Sequence, residues 1–306
     1  MSEALRSHSV SQTRGALAAV LGNPWLKTSP FGARHAPIAK HKAHLAAKRG
    51  KGNMPTKNEI LAVRALRNRK TRLDERKFVV EGFKGVEEAM ASGWLMHGLH
   101  ATADSNVPEA WGASRVSSKE MARMSTLKNP PGILAVMGMP EPEGDPLDTE
   151  ELSDFSLAID GLSDPGNLGT IIRTADWFGV AGIWVSHDTV DPFNPKVVQA
   201  TMGAIFRVSI RSVDLAPTLK EWSAKGVGIQ GLDLQGDSIW NMDRHAQMGP
   251  QVAVVGSESH GLSEGVREAC SGFIHIPGGG QSESLNASMA AGIVMAAWHG
   301  RSVNAL

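Results

Sequence analysis

Apolar residues in the second half of the chain follow two alternating patterns: short continuous runs, and longer stretches with helical spacing. The runs predict strands at Phe155–Asp160, Gly182–Ser186, Ala204–Ile210, Gly226–Leu232, Val252–Val255 and Phe273–Ile276. The spaced stretches predict helices at Leu168–Phe178, Leu215–Trp222, Leu262–Ala269 and Leu285–Trp298. Strand and helix in alternation call for a parallel sheet covered on both faces. In such sheets a ligand sits beyond the carboxyl ends of the strands, where loops lead into helices.

The preceding stretch carries a weaker version of the same pattern. Asn58–Arg69 sets Ile60, Leu61, Val63 and Leu66 among basic residues, as an amphipathic helix does. Strands are predicted at Lys77–Val80, Met96–His100, Val116–Ser117 and Ile133–Met137, the last after the turn Asn129-Pro130-Pro131-Gly132, with a helix over Phe83–Ala91. Residues 55–139 therefore read as a small α/β domain. Residues 140–154 are acidic, proline-rich and aperiodic, which marks a linker to the domain of residues 155–306. Residues 1–54 hold no sustained apolar period and read as a disordered extension. Leu17, Val20 and Leu21 would suit one short helix at Gly15–Leu21, and the break at Gly22-Asn23-Pro24 argues against a secretory signal.

Charge sharpens this division. The formal net charge of the 306 residues is zero, yet residues 1–77 carry 17 of the 31 basic side chains and 4 of the 31 acidic ones. A basic arm on an acidic body fits contact with a polyanion, nucleic acid above all; a solubilising tail or a transit peptide has the same composition. One cysteine, Cys270, excludes an internal disulfide framework and a cysteine-based metal cage, and fits a reducing, cytoplasmic location. No apolar stretch is long enough to span a membrane, so no membrane and no metal are expected.

Three loops carry candidate chemistry, each after a predicted strand. In Ser163–Gly179 (SDPGNLGTIIRTADWFG) a tight turn feeds a helix with Asn167 at its start and Arg173 six residues on; spacing alone does not put the two on one face. In Gly256–Leu262 (GSESHGL) the glycines permit close approach of backbone to a ligand, and Glu258 lies at a strand's carboxyl end. In Ile276–Ser288 (IPGGGQSESLNAS) three successive glycines precede Ser284, Leu285 and Asn286, which open the last helix. The spacing is not that of a dinucleotide-binding fingerprint.

Taken in order, these segments (DPGNLGTIIRTADWFG, VVGSESHGL and IPGGGQSESLNASMAAGI) resemble the three motifs of the SpoU, or TrmH-like, family of RNA 2′-O-ribose methyltransferases in the SPOUT superfamily. TMGAIFRV at Thr201–Val208 also resembles a family segment, and residues 63–138 resemble the small RNA-binding domain often placed before the catalytic one. IPGGGQ lacks the more usual Met after Ile-Pro. The resemblance implies a knotted (trefoil) parallel-sheet SPOUT domain, a homodimer with each cofactor cleft near the partner subunit, and S-adenosylmethionine as cofactor. It implies contacts from Gly256, Ile276 and Leu285 to that cofactor, and a reactive constellation of Asn167, Arg173, Glu258, Ser284 and Asn286. The substrate would be structured RNA, tRNA or rRNA, with the basic segment Arg34–Arg76 meeting phosphates.

A guanidinium with a pKa above about 12 is a poor base. The expected role of Arg173 is therefore an electrostatic clamp on the developing alkoxide, with Glu258 holding Arg173 and Asn167, Ser284 and Asn286 orienting it and the substrate. A non-catalytic RNA-binding protein with the same fold and an RNA base methyltransferase are the competing readings.

Overall fold

The computed structural model describes residues 54–141, 152, 155–180, 182–241 and 249–303, with side chains to residue 300. The expected Gly15–Leu21 helix, the extension before residue 54 and most of the 140–154 linker lie outside the described residues.

Helix α1 (Lys57–Ala65) starts at a capping box, in which Thr56 and Glu59 each satisfy the other's backbone N–H. The helix ends at Leu66, and Asn68 accepts a hydrogen bond from the Lys70 N–H at 2.8 Å to open α2 (Arg69–Glu75). The single helix expected over Asn58–Arg69 is thus two, because the Asn68 side chain caps a new start instead of continuing the old turn. There follow β1 (Lys77–Glu81), α3 (Phe83–Ala91), β2 (Met96–Thr102), β3 (Ser114–Val116), α4 (Ser118–Met124) and β4 (Ile133–Gly138). The sheet order is β1-β4-β2-β3, with β4 antiparallel to both neighbours and β2 parallel to β3. Side chains alternate across it. Val79, Leu134 and Val136 face α1 and α4, where Ile60, Val63, Met121 and Met124 are buried. Phe78, Val80, Ile133, Ala135 and Met137 enter the opposite face.

The second sheet comprises β5 (Phe155–Ile159), β6 (Gly182–Ser186), β7 (Ser209–Val213), β8 (Gly228–Ser238), β9 (Gln251–Val255) and β10 (Gly272–His275). Its order is β10-β8-β9-β5-β6-β7 and every neighbouring pair is parallel. Helices α7 (Leu215–Ala224) and α8 (Glu264–Ala269) cover one face through Leu219, Trp222, Val266 and Ala269. Helices α5 (Pro165–Phe178), α6 (Pro195–Ala200) and α9 (Ala287–Val303) pack into the core of the other. That core runs without a break into the small sheet: the Phe78 and Phe193 rings are 4.8 Å apart, and Trp94 meets Phe206 edge-on at 5.1 Å.

In this domain β8 runs on to Ser238 where Leu232 was the expected end, and two further elements differ from expectation. Ala204–Ile210 is not one strand: Ala204–Phe206 form a 3-10 turn and β7 begins at Ser209. The chain enters that turn through positive φ at Met202 (52°) and Gly203 (96°), which drops Ile205 and Phe206 into the shared core. A short apolar run fits a buried turn as well as a strand, so periodicity could not separate them. The last helix starts at Ala287, after Asn286 rather than at Leu285, because the Asn286 side chain accepts from the Ser288 and Met289 N–H groups and acts as its cap. Sequence reading also passed over α4 and α6. Both carry legible starts, the Ser117/Glu120 capping box and Asn194-Pro195.

Gly169 lets α6 lie directly on α5. A Cβ there would fall 2.4 Å from Ala200 Cβ and 2.9 Å from the Val197 carbonyl oxygen. Gly169→Ala should gain about 1 kcal/mol of helix propensity and lose about 1–3 kcal/mol to overpacking. Net destabilisation is expected in urea unfolding; a more stable variant would show that α6 gives way freely.

Candidate active site

The loops at the carboxyl ends of β5, β9 and β10 meet. Asp164 caps α5 by accepting from the Asn167 N–H at 2.7 Å, and Pro165 occupies the first turn, where a missing N–H costs nothing. This start fixes Asn167 in the first turn with its carboxamide aimed across the cleft. The Nδ2 of Asn167 donates to Glu258 Oε1. Its Oδ1 accepts from Asn286 Nδ2 at 3.0 Å and from Ser288 Oγ at 3.2 Å. Glu258 is a carboxylate that only accepts, so the amide orientation of Asn167 is fixed by its partner.

The loop after β9 is shaped for that contact. Ser257 and Gly261 exchange backbone hydrogen bonds of 3.0 and 2.9 Å, closing a tight turn that carries Glu258 at its exposed rim. Gly256 sits against the returning strand of this turn, and a Cβ there would lie 2.3 Å from the Gly261 carbonyl carbon. Asp160, a buried carboxylate at the end of β5, accepts from the Ser263 N–H at 2.7 Å and pins the far end of the loop. Asp160 and Ser288 are members of this arrangement that the sequence did not single out as site residues. Asp160 stood at the end of a predicted strand, a place where an unpaired buried charge is costly.

The loop after β10 is different in kind. Ile276 is half-buried, Leu285 is 48% exposed, and Gly278, Gly279 and Gly280 have open space where a Cβ would be. Residues 277–285, Ser284 among them, make no hydrogen bond to any described residue. Their exposed backbone groups face solvent, which a ligand with matching donors and acceptors can replace.

Arg173 stands apart from the Asn167 cluster. It is exposed on α5 and has no ion pair among the described residues. Glu258, expected to hold Arg173, is hydrogen-bonded to Asn167 instead. Six residues turn a helix by about 600°, leaving Asn167 and Arg173 about 120° apart around the axis. Trp177, one turn beyond Arg173 on the same face, is 83% exposed. His260 is exposed at the turn and bonds Ser259 at 2.8 Å. Burial pushes the Cys270 thiol up to about 11, so it stays protonated at neutral pH. No cluster of three metal-ligating side chains occurs among the described residues, and no helix there is long and apolar enough to cross a membrane.

Residues 154–296 match the SpoU rRNA Methylase family, and residues 57–135 match the MRM3-like substrate binding domain. A tRNA/rRNA methyltransferase of Synechocystis sp., itself uncharacterized, is 31% identical over 253 residues, spanning 78% of this chain and 90% of the relative. The chain belongs to the SpoU methylase family. Among solved structures, an AdoMet-bound rRNA methyltransferase from Sinorhizobium meliloti is 28% identical with a TM-score of 0.70, over 82% of this chain and 97% of that one. An RNA 2′-O ribose methyltransferase structure is 25% identical with a TM-score of 0.68, over 81% of this chain and 97% of that one. The three loops that Asn167 and its neighbours draw together all lie within the matched residues 154–296.

Asn167→Ala removes the link among those loops. The protein should lose about 1 kcal/mol of stability, and amide hydrogen exchange should accelerate at residues 257–262 and 288–290 with little change in β5. Unchanged exchange at both loops would mean that each holds its shape without the other.

Proposed function

We propose that this protein transfers the sulfonium methyl of S-adenosylmethionine to a ribose 2′-hydroxyl of tRNA or rRNA. The observation that carries the reading is the meeting, on the Asn167 carboxamide, of the three loops that resemble the family's motifs. The similarity to an AdoMet-bound rRNA methyltransferase and to a 2′-O ribose methyltransferase supports both halves of it.

The residues present suit that cofactor. Gly256 lets the turn after β9 close tightly on itself at the strand's end, the 277–285 loop offers backbone donors and acceptors that have no partner among the described residues, and Ile276 and Leu285 offer apolar surface for a purine. When bound, the sulfonium supplies an already activated methyl group. The protein's own task is then alignment and charge. Arg173, exposed and without an ion pair among the described residues, presents its guanidinium to a phosphate and to the oxygen that becomes alkoxide, favouring the deprotonated form while the proton leaves to phosphate or water. Glu258 acts through Asn167, fixing its amide so that Asn286 and the start of α9 keep their place; Ser284, exposed beside them, is assigned to the substrate.

The same reading includes a homodimer and a trefoil path for the C-terminal segment. Trp177 on α5 is 83% exposed, a large apolar side chain that a second copy would cover. Covering Trp177 would bring Arg173 to the subunit boundary. The trefoil path would thread the segment that carries α9, which leaves edge strand β10 and packs on α5.

Nuclease digestion and mass spectrometry of RNA from cells with and without the gene test the reaction. A methyl lost from a nucleoside sugar supports it; a methyl lost from a base, or no loss, overturns it. Arg173→Ala should reduce turnover about 10²–10³-fold, by analogy with loss of one oxyanion donor, with cofactor binding retained in calorimetry. Near-normal turnover removes its role. Trp177→Asp should yield a monomer in sedimentation equilibrium, and an unchanged assembly state would place the interface elsewhere.

A further inference from the structure

Arg72 is 2% exposed and Asp191 7% exposed, a charged pair with almost no access to water. Arg72 lies on α2, in the small domain; Asp191 lies in the loop between β6 and α6, in the large one. The guanidinium Nε and Nη2 both donate to Asp191 Oδ2, at 2.9 and 2.5 Å, and Nη1 donates to the carbonyls of Leu66 and Arg67, each at 2.9 Å. Arg72 therefore closes the end of α1 and reaches across to the other domain with the same group. Asp191 is equally engaged: its Oδ1 accepts from the Phe193 N–H at 2.9 Å, which sets Phe193 against Phe78.

A buried ion pair is weak evidence for stability, since well-packed apolar replacements often serve as well. Its directional bonds instead fix one geometry. Here the fixed geometry leads to the cleft. Asp191 precedes α6, α6 rests on α5 at Gly169, and α5 carries Asn167 and Arg173.

We infer that Arg72 and Asp191 are positioning residues: they lock the substrate-binding domain at one distance and angle from Arg173, so that RNA gripped by the first presents a single nucleotide to the second. This rests on the function proposed above for its RNA readout, though the rigidity of the joint does not. Specificity then comes partly from a fixed span between two contact surfaces, and a loosened joint would spread the methyl over neighbouring nucleotides. The interaction is one of orientation, so neither side chain needs to touch RNA.

The test replaces both partners, Arg72→Met with Asp191→Leu, because losing one alone strands a buried charge and risks unfolding. The melting temperature should fall, because the Leu66 and Arg67 carbonyls and the Phe193 N–H lose their partners, but the transition should stay cooperative and cofactor calorimetry should remain near that of the parent. Turnover on structured RNA is expected to fall about 10- to 100-fold, as for a small misplacement of reacting groups, and mapped 2′-O-methyl sites should broaden to adjacent nucleotides. A folded, cofactor-binding double variant that methylates the same single nucleotide at the parent rate overturns the inference. A second measurement is independent of the reaction. In a Cys270→Ala background, spin labels at Lys119→Cys and Lys220→Cys report the distance between the domains. The parent should give a narrow distribution and the double variant a broad one; equal widths overturn the inference even if the parent methylates no RNA.

Discussion

One carboxamide holds the cleft together. Asn167 has a donor edge and an acceptor edge, and it uses both across gaps of 91 to 121 residues in sequence: Glu258 on one side, Asn286 and Ser288 on the other. No other side-chain type of that size offers a carbonyl and an amide in one plane. An Asp would repel Glu258, and a Ser could not span the loops. The rest of the site follows from this constraint. Asp164 and Pro165 place Asn167 at the first turn of α5, the Ser257–Gly261 turn lifts Glu258 toward it, and Asn286 reaches it while capping α9.

The glycines divide into two physical kinds. Gly169 and Gly256 are places where backbone or a neighbouring helix occupies the volume of a side chain, so their role is closeness. Gly278–Gly280 have nothing near them and lie exposed. In that loop the missing side chains leave the backbone itself exposed.

The small domain is not a tethered appendage in this fold. It shares an apolar core with the large domain through Phe78, Trp94, Phe193 and Phe206, and Arg72 and Asp191 add a directional bond inside that seam. The apolar rings supply adhesion without preferred orientation. The buried charges supply orientation. Arg207, bonded to both Asp176 and Glu88, repeats the arrangement at the exposed rim, where solvent weakens it.

How far the sequence carried the reading depends on the range of the physics involved. The parallel sheet, the small α/β domain, most strands and the long helices were legible because burial on a strand or helix leaves a period in the local sequence. The three site loops were legible because glycine, proline and asparagine have narrow backbone meanings at strand ends. Their association needed a family resemblance, since nothing local encodes a meeting across more than 90 residues. The break at Asn68, the turn at Ala204–Phe206 and the late start of α9 depended on where single side chains found partners, and period could not foresee that. The same holds for Glu258, which spacing left free to face Arg173 and the fold turned to Asn167. Asp160, Ser288 and the Arg72–Asp191 pair acquired meaning only in three dimensions, because a charge or hydroxyl within an ordinary pattern is silent until burial selects its partner.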